Sequence, residues 1–219
     1  MADISALRDL QQSLIRKPLA GAVLIAPMNT AIPAKFTSAT GDLVDLKAAG
    51  FKSIGHVSKE GSPTFTPETE TSDVDSWGLL ESARTDIISR NTTIAWTGQE
   101  THKTNLELYH NRDLSTVTFD AASGEMEFTD PTSPELFYNR AVFVSVDGSG
   151  ANAIYIIKVA PKFTVTDVSE QGWSEDSAIE YAITGRAKLD ETAGYAIKTV
   201  FGGPGWKALA VKAGFTATP

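Results

Sequence analysis

The chain has 219 residues, 42% of them hydrophobic and 21% charged, the make-up of a soluble globular protein able to bury a core without staples. A formal net charge of −8, from 19 Lys+Arg against 27 Asp+Glu, argues against a nucleic-acid binder, because an acidic surface repels phosphates at long range. Cysteine is absent, which excludes disulfides and thiolate metal sites and suits synthesis in a reducing compartment such as bacterial cytoplasm.

Residues 2–16 read as an amphipathic helix. Ile4, Leu7, Leu10 and Leu14 share a face, Asp3 stands near the start as a cap, and Pro18 ends it. Such a helix ahead of a β-rich body is either an arm that docks on a neighbour or an element packed on its own domain. Asp3, Arg8 and Asp9 stand where the apolar core of a signal peptide would be. The longest apolar run, 20–28, is half of the ~20 residues a bilayer span needs. Neither membrane insertion nor export by a cleaved leader is expected.

Residues 22–25 predict a short buried strand, 27–41 a loop and 51–58 a second strand. Residues 61–77, GSPTFTPETETSDVDSW, differ in character, being rich in Thr and Ser with two prolines. From Glu60 to Glu81 there are six carboxylates and no basic residue. This segment cannot build a core. It is either a long mobile loop or an extended hairpin that orders against a partner, with Phe65 and Trp77 as apolar anchors at its ends.

Residues 85–99 read as β again. Thr104 and Glu107 have the spacing of a capping box and predict a short helix over about 101–111. The remainder is strand and turn. Val142, Val144 and Val146 alternate with their neighbours, and Asp147-Gly148-Ser149-Gly150 marks a hairpin turn. Strands follow at 154–159, 163–168, 179–183 and 195–201, and 206–212 is a short terminal helix or strand. The period-2 pattern predicts a mainly β protein, an antiparallel sandwich or barrel in a single domain over 1–219.

Chemistry is sparse. His56, His102 and His110 have no metal-pair spacing, and neither a zinc-protease nor a serine-elbow motif is present. The glycine-rich stretches at 147–150 and 202–205 lack the partners of a calcium loop or P-loop and read as turns. Asn91-Thr92-Thr93 matches a glycosylation triplet, without meaning where no export is expected. Lys and Arg are dispersed, without the footprint of a nucleic-acid binder. The carboxylates between Glu68 and Asp75 read as a solvated face. No catalytic residue, cofactor or metal site is assigned.

Three stretches carry a resemblance: GFKSIGHVSKEG at 50–61, VDSWGLLESARTDI at 74–87 and TTIAWTGQETHKTNLELYHN at 92–111. In this order, around an acidic Thr-rich loop, they resemble the major tail tube proteins of long-tailed bacteriophages (siphoviruses), especially those of actinobacteria. The resemblance is close over about 60 residues.

That resemblance implies a tail tube type β-sandwich with a flanking helix. It implies six copies in a ring, inner sheets joined into a continuous barrel, and stacked rings that conduct DNA in the virion tail. Residues 1–18 would be an N-terminal arm and 61–77 the inter-subunit loop. Phe65, Glu68, Glu70, Asp73, Asp75 and Trp77 are then assembly candidates, and Glu180 a lumen candidate. Copies of itself would be the main partner, with tape measure, tail terminator and baseplate proteins beside them, and DNA would pass unbound along an acidic wall. Two other readings stay open. One is a β-sandwich module binding carbohydrate or a host surface through Trp77, Trp96, Trp173 and Trp206; the other is a glycosidase using Glu68 and Glu70.

Overall fold

A computed structural model describes residues 4–133 and 135–217. Eight antiparallel strands form one sheet: β1 (Ala20–Pro27), β2 (Lys52–Ser53), β3 (Thr64–Val74), β4 (Arg84–Gly98), β5 (Tyr138–Asp147), β6 (Ile154–Val168), β7 (Tyr181–Lys188) and β8 (Lys198–Gly202). Three short helices flank it, α1 (Ile4–Arg8), α2 (Lys103–Tyr109) and α3 (Pro204–Leu209). The order is β2-β1-β5-β6-β7-β4-β3, with β8 also on β6.

The mainly antiparallel, sandwich-type fold is as expected, but the sheet does not close into a barrel. It folds over on itself instead. Phe143 on β5 touches Phe65 on β3 (ring centroids 5.1 Å apart) and Trp96 on β4 (5.4 Å), although β6 and β7 lie between β5 and β4 in the sheet. The fold-over centres on β6, which the alternation divided into strands at 154–159 and 163–168. It is one strand with two successive neighbours on the same edge, β8 along residues 155–159 and β7 along 162–168. Pro161, which has no N–H to donate, sits at the switch. Register shifts at Asn139/Ala141 and Val165/Asp167 bracket it, and such bulges bend a strand.

Strand β1 explains its unbroken apolar run. Val23 and Ile25 point into the layer with Trp96, Phe143, Phe163 and Ile183. Leu24 and Ala26 point the other way, under Phe36, Leu46 and Phe51 of the connection 28–51. Both faces are buried, so neither tolerates a polar residue.

Several expectations need correction. The strand expected at 51–58 is paired in β2 only over Lys52–Ser53, because Gly55 turns the chain at φ 81°. A Cβ there would collide with the Glu100 carboxylate. The helix expected over 2–16 is α1 followed by a 3-10 turn at Gln12–Leu14, broken at Asp9 with φ 37°. Its expected cap, Asp3, lies outside the described residues. The capping box does not form. The helix starts at Lys103, which makes Thr104 its second residue and buries it, and His102 at the cap position makes no side-chain bond. Asn105 secures this turn instead, its Nδ2 donating to the carbonyls of Ile54 (2.9 Å) and Glu100 (2.7 Å). Of the stretch 206–212, residues 206–209 are helical, in α3, and 210–212 form a turn.

Candidate assembly surfaces

The acidic segment 61–77 supplies β3, which pairs with β4 along its whole length. Thr-rich strands fit a pleated ladder, and short polar pairs cross it. Thr85 Oγ1 donates to Asp73 (2.6 Å) and Ser89 Oγ to Glu70 (2.9 Å), while Arg84 pairs with Asp86 along β4 itself (2.8 Å). Beyond Thr69 and Arg90 this ribbon leaves the body. Every residue from Thr66 to Ile88 is exposed, including Val74, Leu79, Ile87 and Ile88, and Trp77 and Leu80 are bare. A free two-stranded ribbon is marginal in water, and large exposed apolar groups mark a contact surface.

The alternation of β3 sorts the candidate residues. Phe65 sits at the base, half-buried on Phe143, with the Lys158 ammonium 4.8 Å from its ring. Glu68 and Glu70 lie on one face of the ribbon and Asp73 on the other, while Asp75 and Trp77 belong to the tip. Glu180 is half-buried just before β7 and accepts from Gln99 Nε2 at 2.9 Å. The four tryptophans do not form one platform: Trp96 is in the core and Trp206 stacks on Phe201 (4.9 Å, 30°).

Among the described residues the N-terminal segment is anchored from Ser13 onward, where Lys212 Nζ donates to Ser13 Oγ (2.9 Å). Arg16 pairs with Asp147 (3.1 Å) and the Leu19 N–H donates to Val146 O (2.9 Å). Ahead of that, Ile4, Leu7, Leu10 and Ile15 are exposed.

The four-stranded layer β3-β4-β7-β6 has one face toward the core and one outward. Register places Thr64, Thr66, Thr93, Ala95, Ala182 and Thr184 on the outward face, while Thr164, of the same register, is buried beside Tyr138. The charges there are four of each sign but segregated: Glu68, Glu70 and Asp86 with Arg84 on β3 and β4, and Lys162, Arg186 and Lys188 with Asp167 on β6 and β7. Helix α2 lies on the core side of β7, through buried Leu108 and the Tyr109–Tyr181 contact (5.6 Å).

Beyond the C-terminal end of β4 lies a cleft of about 430 Å³. It runs between the end of β1, the start of α2 and residues 137–139, and Lys52 and Lys103 border it. Its two carboxylates are engaged by their own chain. Glu107 accepts from the Leu114 N–H (3.3 Å), and Asp113 accepts from the Ser115 N–H (2.7 Å) and hydroxyl (2.9 Å), which hold its carboxyl below the ordinary value. Sequence reasoning missed this cleft, because its walls come from segments far apart in the chain, from Ile25 to Asn139.

At the root of α2 the His56 ring and the His56 backbone N–H both bond the Glu100 carboxylate. The side-chain bond first, and the backbone bond second, hold its pKa below 4.5. A carboxylate whose folded pKa is depressed contributes stability that is complete above the unfolded value and is lost as pH falls through the folded one. The urea midpoint of the native chain is therefore expected to drop more on going below pH 4.5 than that of Glu100→Gln. Identical pH profiles would remove Glu100 from the acid response.

Among the described residues no group of His, Asp and Glu converges as a metal site, and no helix is long and apolar enough to cross a membrane. A family model described as "Phage tail tube protein" matches residues 9–194. No curated protein is significantly similar in sequence. Among solved structures, a chain described as "Virion of native gene transfer agent (GTA) particle" aligns with a TM-score of 0.37 and 13% identity, over 81% of this chain and 95% of that one.

Proposed function

We propose a mode of assembly from one premise: this chain belongs to the phage tail tube protein family, and is therefore a structural protein of the viral tail and not an enzyme. Its copies close into hexameric rings, and the rings stack into the tube through which DNA leaves the particle. The number six is the one the resemblance to siphovirus tail proteins implies. The chain acts as a single tail tube domain over 1–219, made in the host cytoplasm. Its neighbours in the tail are other copies and, at the ends and interior of the tube, terminator, baseplate and tape measure proteins.

The observation that carries this reading is the β3–β4 hairpin. It is a ribbon whose apolar side chains have no partner on their own chain, and β3 offers a free edge along its 11 residues. Pro67, Glu68, Glu70 and Asp73 blunt that edge, so the uncovered apolar side chains are what call for a partner. Heterologous contacts that close make rings, and those that do not close make stacks. The hairpin and the arm at 1–18 are the inter-subunit elements in this scheme.

The outward face of β3-β4-β7-β6 is the channel wall in this reading. An interface core would carry large apolar groups. This face carries threonines and alanines with four charges of each sign, and Val74 only at its far end. The balance of signs over the whole face limits the counterion release by which a basic wall would hold phosphates, so DNA passes without sticking. Glu180, two residues ahead of Ala182, adds an acidic lumen candidate at the edge of this wall.

The lack of cysteine makes the test clean. Thr66→Cys on this face and Thr118→Cys on the 110–137 excursion are labelled in concentrated, tube-forming protein with a small maleimide and with a bulky polymer-linked one. The small reagent is expected to reach both sites, and the bulky one only Thr118→Cys. Wild-type protein that stays monomeric in electron micrographs at every concentration would refute the tube. Tubes in which the bulky reagent still modifies Thr66→Cys would refute the wall assignment.

A further inference from the structure

We propose that the β3–β4 hairpin tip of one copy seats in the cleft between α2 and β1 of a second copy. Trp77 and Leu80 enter the cleft, and the tip carboxylates meet Lys52. This rests on the tube reading and adds to it a receptor surface for the hairpin.

Three observations carry it. The first is position. The tip adjoins Arg84 at one end of β4, and the cleft lies past Gly98, beside Lys103, at the other. Fifteen residues of strand span about 50 Å at roughly 3.3 Å each. A knob and a socket at opposite ends of one 15-residue strand join head to tail, and that contact repeats along an axis without closing.

The second is shape and polarity. The tip presents Trp77, Leu79 and Leu80 with no cover from their own chain. The cleft presents Ile25, Pro27, Met28, Phe137 and Tyr138. Its volume of about 430 Å³ lies within the range of roughly 300–1,000 Å³ typical of sites that enclose a bulky group.

The third is charge. The stretch 73–82 carries Asp73, Asp75 and Glu81 and no basic residue. Among the described residues Lys52 and Lys103 have no ion-pair or hydrogen-bond partner, whereas Glu107 and Asp113 already hold backbone N–H groups. Lys103 already acts on Asp113 through space, so Lys52 is the cation the cleft leaves to an incoming anionic segment. Complementary charges of this kind set register and partner choice.

The test uses the full-length chain. Leu80→Cys combined with Met28→Cys, assembled and mildly oxidised, is expected to give a ladder of disulfide-linked oligomers on a non-reducing gel, because each copy donates one tip and receives one. Each single-cysteine variant gives no ladder. Independently, Lys52→Glu is expected to lose pelletable tubes while keeping the monomer's melting midpoint, and adding Asp75→Lys and Glu81→Lys restores them. Wild-type tubes without a Leu80–Met28 ladder, together with charge-reversed protein that still pellets, would overturn the docking and leave the tube reading intact. A ladder from Leu7→Cys with Met28→Cys in its place would overturn it too, by giving the cleft to the N-terminal arm. Wild-type protein that forms no rings or tubes refutes both.

Discussion

Replacing residues 75–82 by Asn-Gly is expected to leave the protein folded and to abolish tube formation. The excision is local. Every residue it removes is exposed, and the flanking positions are already joined by the Ala83 N–H donating to Val74 O at 2.8 Å. That is the closing bond of a two-residue hairpin turn, and Asn-Gly is the pair that favours one. The excision also removes Trp77, Leu79 and Leu80. A buried tryptophan covers about 150–250 Å², worth about 4–6 kcal/mol at roughly 25 cal/mol/Å² before the cost of association. A stack of rings multiplies that loss by every copy in the ring. Circular dichroism is expected to show an unchanged melt, and electron microscopy no tubes. Normal tubes from the shortened chain would mean that the hairpin tip does not join rings.

Asp190→Ala is expected to be the most damaging single substitution for stability, at about 3–5 kcal/mol, because it leaves a buried guanidinium without its counter-ion. Asp190 Oδ2 lies 3.1 Å from Arg140, and both side chains are largely buried. The other oxygen accepts the N–H groups of Thr192 (2.9 Å) and Ala193 (3.2 Å). Arg140 also donates to Met28 O (3.0 Å) and Pro161 O (3.4 Å). One ion pair thus ties together the edge of the cleft, the corner of β6 and the turn leading toward β8. In urea the unfolding midpoint should fall accordingly, and the thermal midpoint by about 10 °C for a chain of this size. Arg140→Met with Asp190→Leu should recover the part of the loss that arises from the orphaned charge, and not the part due to the bonds with Thr192, Ala193, Met28 and Pro161. A loss under about 1 kcal/mol, typical of a surface pair, would refute the buried clamp.

The strands of the body were legible because each reports its own burial. Val142, Val144 and Val146 mark a face by alternation, and the unbroken run through 23–26 marks a strand buried on both sides. The hairpin was legible as an anomaly, too polar to make a core and too long for a turn. Its division into faces was not. A register shift between Glu70 and Thr71 decides which carboxylate opposes which residue, and no local pattern announces it. The capping box misled for a similar reason. Thr104 and Glu107 have the right spacing, but burial of Thr104 and the reach of Asn105 to Ile54 decide where α2 begins.

The amino-acid order by itself determined a cysteine-free, mainly antiparallel β protein with an acidic projecting segment and no catalytic motif, because strand period, turn chemistry and charge are written in neighbouring residues. Only the tertiary structure decided that the sheet folds over at Pro161, that Arg140 meets Asp190, and that a lysine-edged cleft stands at the far end of β4 from the hairpin tip. These are meetings of groups 50 or more residues apart along the chain. They are fixed by packing a bent sheet into the least exposed apolar surface, a global minimum that no short window of sequence contains.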